Sequence, residues 1–94
     1  MSKFEGRTFK NEAIKLDGNE YTNCTFEKCE LIYAGYGSVS LAGNEFIGCK
    51  WAFIDSAQRT IQFMTALYHG GAKELIEKTI ENIRKGQHPD IGIN

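Results

Sequence analysis

Cys24, Cys29 and Cys49 are the residues best able to do chemistry here, as nucleophiles, metal ligands or disulfide partners. Their spacing argues against each role. Four residues separate Cys24 from Cys29, not the two of the C-x-x-C pattern found at zinc and redox sites. His69 and His88 lie far along the chain from all three. Covalent catalysis needs a nucleophile, a base and an orienting group within reach of one another. Gly35-Tyr36-Gly37 is followed by neither G-K-[ST] nor a further glycine at phosphate-loop spacing. Glu20 and Glu45 recur within a duplicated segment, which accounts for them without chemistry. The expectation is reduced, buried cysteines packing as small hydrophobes, with no catalytic residue, no metal and no cofactor.

The residues suited to binding are different ones. Tyr33, Tyr36 and Trp51 lie in or near an irregular stretch, Ala34 to Ser38. Aromatic rings beside glycine stack a planar ligand such as a base, and an Arg clamps its phosphate. Arg59 is the best placed Arg, one turn into an expected helix whose N-terminus at Ser56 favours anions. His69 closes that helix, where a cationic imidazole complements the helix dipole. The candidate ligand-binding set is Tyr33, Tyr36, Trp51, Arg59 and His69. For each aromatic the competing role is a place in the core or an interface.

The elements that position them follow from repetition. LDGNEYTNC (16 to 24) returns as LAGNEFIGC (41 to 49), 25 residues later. Positions 16, 21, 26, 31, 36, 41, 46 and 51 are all large and apolar, Leu, Tyr, Phe, Leu, Tyr, Leu, Phe and Trp. Two residues before each lie Ile14, Asn19, Cys24, Cys29, Ala34, Val39, Asn44 and Cys49. Neither the helical period of 3.6 nor the strand period of 2 gives this spacing. It suits a square coil whose sides take five residues, each pointing one large and one small residue inward.

NCTFEKCEL (23 to 31) and NEFIGCKW (44 to 51) resemble the pentapeptide-repeat proteins. The resemblance covers residues 14 to 53 and implies a right-handed quadrilateral β-helix, here of two coils. Cys and Asn stand where that family favours Ala, and Ala34-Gly35-Tyr36-Gly37-Ser38 is expected to interrupt the coil. The alternative is a small antiparallel β unit, with TFEKCELIY (25 to 33) alternating as a strand and Gly18-Asn19 and Gly43-Asn44 as turns.

After residue 54 the pattern becomes helical. Asp55-Ser56-Ala57-Gln58 reads as a capping box opening a helix over 55–69. Ala57, Ile61, Met64 and Tyr68 share one face, widened by Phe63 and Leu67. Gly70-Gly71 stops it, and a second helix is expected over 72–85, with Leu75, Ile76, Thr79, Ile80 and Ile83 forming its buried side. The residues 86–94 form a tail, read as an exposed strand or a disordered end. The fold class is thus α+β, a single domain over 1–94 with a β unit at 4–54 and a C-terminal two-helix hairpin.

The totals bound the function. A chain of 94 residues buries only about 60–65% of its unfolded surface and gains much from self-association. A net charge of −1 attracts neither nucleic acid nor anionic membrane, and the second helix balances three acids with four bases. No apolar run is long enough to span a bilayer. MSKFEGRTFK has neither the apolar core nor the cleavage signal of a secretory leader, so a cytoplasmic location is expected. A short coil also leaves strand edges open to pairing. The expectation is a non-catalytic homo-oligomer, a dimer or higher, that binds neither DNA nor membrane. Its expected ligand is an anionic, nucleotide-like small molecule. In size and lack of catalytic motif it is similar to small viral proteins that soak up immune cyclic nucleotides. The alternative is a protein-interaction module of pentapeptide-repeat type without a small ligand.

Overall fold

Large residues recur every five positions because the chain turns a corner every five. The computed structural model describes residues 2–86; the tail from residue 87 onward, with His88, lies outside them. Nine strands come first: β1 (Ser2–Glu5), β2 (Thr8–Lys10), β3 (Ala13–Lys15), β4 (Asn19–Thr22), β5 (Thr25–Glu27), β6 (Glu30–Tyr33), β7 (Ser40–Ala42), β8 (Glu45–Ile47) and β9 (Lys50–Phe53). Two helices follow, α1 (Asp55–His69) and α2 (Lys73–Arg84). The chain divides into two compact units, Met1–Arg59 and Thr60–Asn94.

In the first unit the strands form three sheets, ordered β1-β4-β7, β2-β5-β8 and β3-β6-β9. Each sheet therefore takes one strand from each of three successive turns of the chain. All six pairings are parallel, which overturns the antiparallel alternative with turns at Gly18-Asn19 and Gly43-Asn44.

The register places large residue on large residue. Phe4 pairs with Tyr21 and Tyr21 with Leu41; Phe9 with Phe26 and Phe26 with Phe46; Ile14 with Leu31 and Leu31 with Trp51. The expected two turns are three, because a first one is built on Phe4, Phe9 and Ile14. It escapes the five-residue phase because β3 and β4 are joined by only Leu16, Asp17 and Gly18. Tyr21 consequently follows its partner Phe4 by 17 residues, while Leu41 follows Tyr21 by 20. The duplicated segments, 25 apart, therefore do not stack; LDGNEYTNC and LAGNEFIGC occupy successive sides of the coil.

Six corners of this coil use a left-handed residue: Gly6, Asn11, Asn23, Lys28, Gly43 and Gly48, with φ between 53° and 68°. At each corner of the first two turns the amide also reaches the next turn, as Asn23 N–H does the Ala42 carbonyl (2.9 Å) and Lys28 N–H the Ile47 carbonyl (2.8 Å). Asn adopts this conformation readily, but Lys28 at φ 53° carries strain. Lys28→Gly is expected to raise stability by about 0.5–1 kcal/mol, the relief of strain less the entropy of glycine. A higher urea midpoint with unchanged slope checks it, and a lower midpoint contradicts it.

The core comprises Phe9, Leu16, Tyr21, Cys24, Phe26, Cys29 and Leu31, with Phe4, Ile14, Val39 and Cys49 packed against it. Rings stack along the coil, Phe9 on Phe26 at 5.1 Å and Phe26 on Phe46 at 5.2 Å. Asn44 ties adjacent turns: its Oδ1 accepts the Cys24 N–H (2.8 Å) and its Nδ2 donates to the Tyr21 carbonyl (3.0 Å). The two ends of the stack differ. On the first turn Arg7 lies over the Phe4 and Phe9 rings, both 5.5 Å from its guanidinium carbon. On the last turn Leu41, Phe46 and Trp51 are exposed.

The capping box at Asp55 does not form as expected. Asp55 has φ 50°, outside the helical region, and the Ile54 carbonyl accepts the N–H groups of Ala57 and Gln58. In the second unit Gly71, at φ 116°, turns the chain between the helices, and the Ala72 N–H closes on the Leu67 carbonyl (2.8 Å). The helices do not bury one another as a packed hairpin would: α1 has one buried residue, Ala57 in the first unit, and α2 has none. No helix among the described residues is long and apolar enough to cross a membrane.

Candidate binding site

The three thiols face the coil interior. Cys24 Sγ donates to the Phe4 carbonyl (3.5 Å), Cys29 Sγ to the Phe9 carbonyl (3.4 Å) and Cys49 Sγ to the Phe26 carbonyl (3.2 Å). All are free, with Cys24 and Cys29 buried. They bridge turns of the coil. Among the described residues no group of three His, Cys, Asp or Glu side chains is placed to hold a metal ion.

The five candidate residues have different surroundings. Tyr33 and Trp51 come together, because β6 and β9 are neighbours in register. With Leu16, Val39, Leu41 and Phe53 they line an open apolar hollow of about 320 Å³ on the last turns of the coil. Half of Trp51 is exposed there (50%), and its ring lies 5.4 Å from that of Phe46. Phe53, paired with Tyr33, was not among the residues expected from sequence.

Tyr36 and Arg59 form a second patch, at the start of α1. The Tyr36 ring is 71% exposed, so it leaves the inward phase that its position in the repeat predicts. Its hydroxyl donates to the Asp55 carboxylate, and this bond, more than burial, raises its pKa. Tyr36 is therefore a persistent hydrogen-bond donor rather than a base. Arg59 Nη2 donates to Ser56 Oγ (3.3 Å). His69, the fifth candidate, belongs to the second unit, where its ring meets Tyr68 edge-on at 5.3 Å. Together with Ile61, Met64, Thr65, Tyr68 and Ile76 it lines another shallow hollow.

Asp17 organises the loop that carries Tyr36. Its Oδ1 accepts the Ala34 N–H (2.8 Å), and its Oδ2 accepts those of Gly35 (2.9 Å), Tyr36 (2.8 Å) and Gly37 (3.3 Å). Four consecutive amides curled on one carboxylate make an anion-binding concavity filled by the protein's own anion. Two glycines are required by close approach. A side chain at Gly35, φ 87°, would meet Ala57 N at 3.1 Å, and one at Gly37 would meet Gly18 N at 3.0 Å. The signal for Asp17 was present in the duplication, since LDGNE and LAGNE differ only there, at Asp17 and Ala42.

The Ala34 N–H above all, with those of Tyr36, Gly37 and Gly35, holds the Asp17 carboxyl below its ordinary range, against the opposing effect of burial. A lowered folded pKa means the anchor contributes fully above the ordinary value of about 3.9 and is lost as pH falls through the folded value. Amide exchange at Ala34–Gly37 is thus expected to accelerate as pH drops below about 4, once corrected for intrinsic rates. At neutral pH Asp17→Asn is expected to accelerate the same four amides and leave those of β5 protected. Unchanged exchange in the variant would show that the carboxylate does not hold the loop.

Comparison with family models, with curated proteins and with solved structures finds no match to this chain.

Proposed function

We propose that the chain is a small, non-catalytic, homo-oligomeric binding protein with a β-helical body of pentapeptide-repeat type. It holds a planar, anionic, nucleotide-like ligand and thereby sequesters or senses it. The observation that carries this reading is the apolar hollow in which Tyr33, Trp51 and Phe53 converge at the exposed end of the strand stack. Such rings stack a base without needing its sequence of polar groups. Arg59, at the α1 start, is the cation suited to the ligand's phosphate. Interior thiols with carbonyl partners and a Tyr36 held protonated favour binding over turnover. Two buried free cysteines fit a reducing compartment such as the cytoplasm.

A second reading, a protein-interaction module without a small ligand, is favoured by the amides of the 34–37 loop, which Asp17 already occupies. The two readings separate by fluorescence. Trp51 is the chain's one tryptophan, so a stacked base quenches all of its indole emission. Titration with mono-, di- and cyclic nucleotides is expected to give saturable quenching that inorganic phosphate does not reproduce. Arg59→Ala is expected to weaken it about tenfold, one charge-assisted contact. No quenching by any nucleotide would favour the protein partner.

A further inference from the structure

The α2 helix is amphipathic, and among the described residues most of its apolar side is left uncovered. Leu75, Ile80 and Ile83 are exposed, Ile80 at 38%, and no residue of α2 is buried. A twelve-residue helix is marginal in water without packing, since most helical stability in proteins comes from a covered apolar face. Something must cover this one. The pattern on its surface says what. Glu77 and Arg84 flank Ile80, three residues before and four after it, and these three with Glu81 line a depression. Residues at i, i+3, i+4 and i+7 are the four that form a hole for a knob from a facing helix. The charges are self-complementary only when the facing helix is the same sequence run backwards.

We infer that α2 is the seam of a homodimer, packing antiparallel on α2 of a second copy about a two-fold axis beside Ile80. This rests on the homo-oligomeric reading above and names its interface. The axis places Ile80 against Ile80 of the other copy, and the exposed Ile83 extends the apolar seam. It sets Glu77 of each copy opposite Arg84 of the other, so a single type of ion pair occurs twice, as two-fold symmetry requires. The open hollow at Tyr33 and Trp51 belongs to the first unit and contains no α2 residue.

Sedimentation equilibrium on the full chain tests this. The parent protein is expected to be a dimer. Ile80→Glu puts two carboxylates on the axis and is expected to weaken dimerisation about 100-fold or more, while circular dichroism reports an intact β unit. Glu77→Arg sets Arg against Arg twice and is expected to weaken it about tenfold. Combining Glu77→Arg with Arg84→Glu restores the pairing and is expected to return the dissociation constant to the parent value, which a merely misfolded helix would not do. A dimer undisturbed by Ile80→Glu would overturn the α2 seam and leave self-association through another surface. A double variant as weak as Glu77→Arg alone would overturn the antiparallel register. A parent protein that is monomeric throughout would overturn the seam and the homo-oligomeric reading together.

Discussion

Phe26→Ala is expected to destabilise the β unit by about 3–5 kcal/mol, the range for removing a fully buried aromatic ring. Phe26 is 0% exposed. Its ring is stacked between Phe9 and Phe46 and meets Tyr21 edge-on at 5.2 Å, so its loss opens a cavity on three sides. The surrounding rings belong to strands fixed by parallel pairing on both edges of β5, which limits collapse into the gap. Small domains are stable by about 5–15 kcal/mol in total, so the variant is expected to sit near its unfolding midpoint. Phe46→Ala supplies the comparison. It is one step along the same column but 38% exposed, at the end of the stack, and is expected to cost about 1–2 kcal/mol. Urea unfolding of both variants checks the difference. Equal losses would mean that the last turn is covered rather than open.

Trp51→Ala is expected to weaken nucleotide binding about 5- to 150-fold, the equivalent of about 1–3 kcal/mol for one base stacked on one aromatic ring. Half of the Trp51 surface is already exposed, so the fold is expected to lose far less than the binding does. Tyr33, on the neighbouring strand and lining the same hollow, is expected to behave alike, whereas Leu41→Ala removes apolar area without a stacking ring. Equilibrium dialysis with a labelled nucleotide measures all three, since Trp51→Ala removes the fluorescent reporter. Affinity unchanged in both Trp51→Ala and Tyr33→Ala would remove the hollow from consideration as the ligand site.

Much of the coil was legible because its inward residues obey steric need. Tyr21, Phe26, Leu31, Leu41, Phe46 and Trp51 hold the five-residue phase and stack in register. The phase failed where the chain leaves the strands. Phe4, Phe9 and Ile14 carry a full turn but sit out of phase, because a short connection needs fewer residues than a full side. Tyr36 keeps the phase and yet faces solvent, because Asp17 draws the 34–37 amides into a loop. That contact spans 17 to 20 residues of sequence and follows from no local propensity. The offset of 25 in the duplication records the pentapeptide unit rather than the turn of the coil. At the site, the aromatic residues were legible as types, but the convergence of Tyr33 with Trp51 and Phe53 needed the register. Arg59 and Tyr36 take Ser56 and Asp55 as their partners at the start of α1.

The most direct test of a non-catalytic, homo-oligomeric binding protein is native mass spectrometry of the full chain, alone and with a panel of mono-, di- and cyclic nucleotides. The account predicts a discrete oligomer that gains the intact mass of a nucleotide and releases no product. An oligomer that ignores the whole panel, or one that returns a cleaved nucleotide, would contradict it.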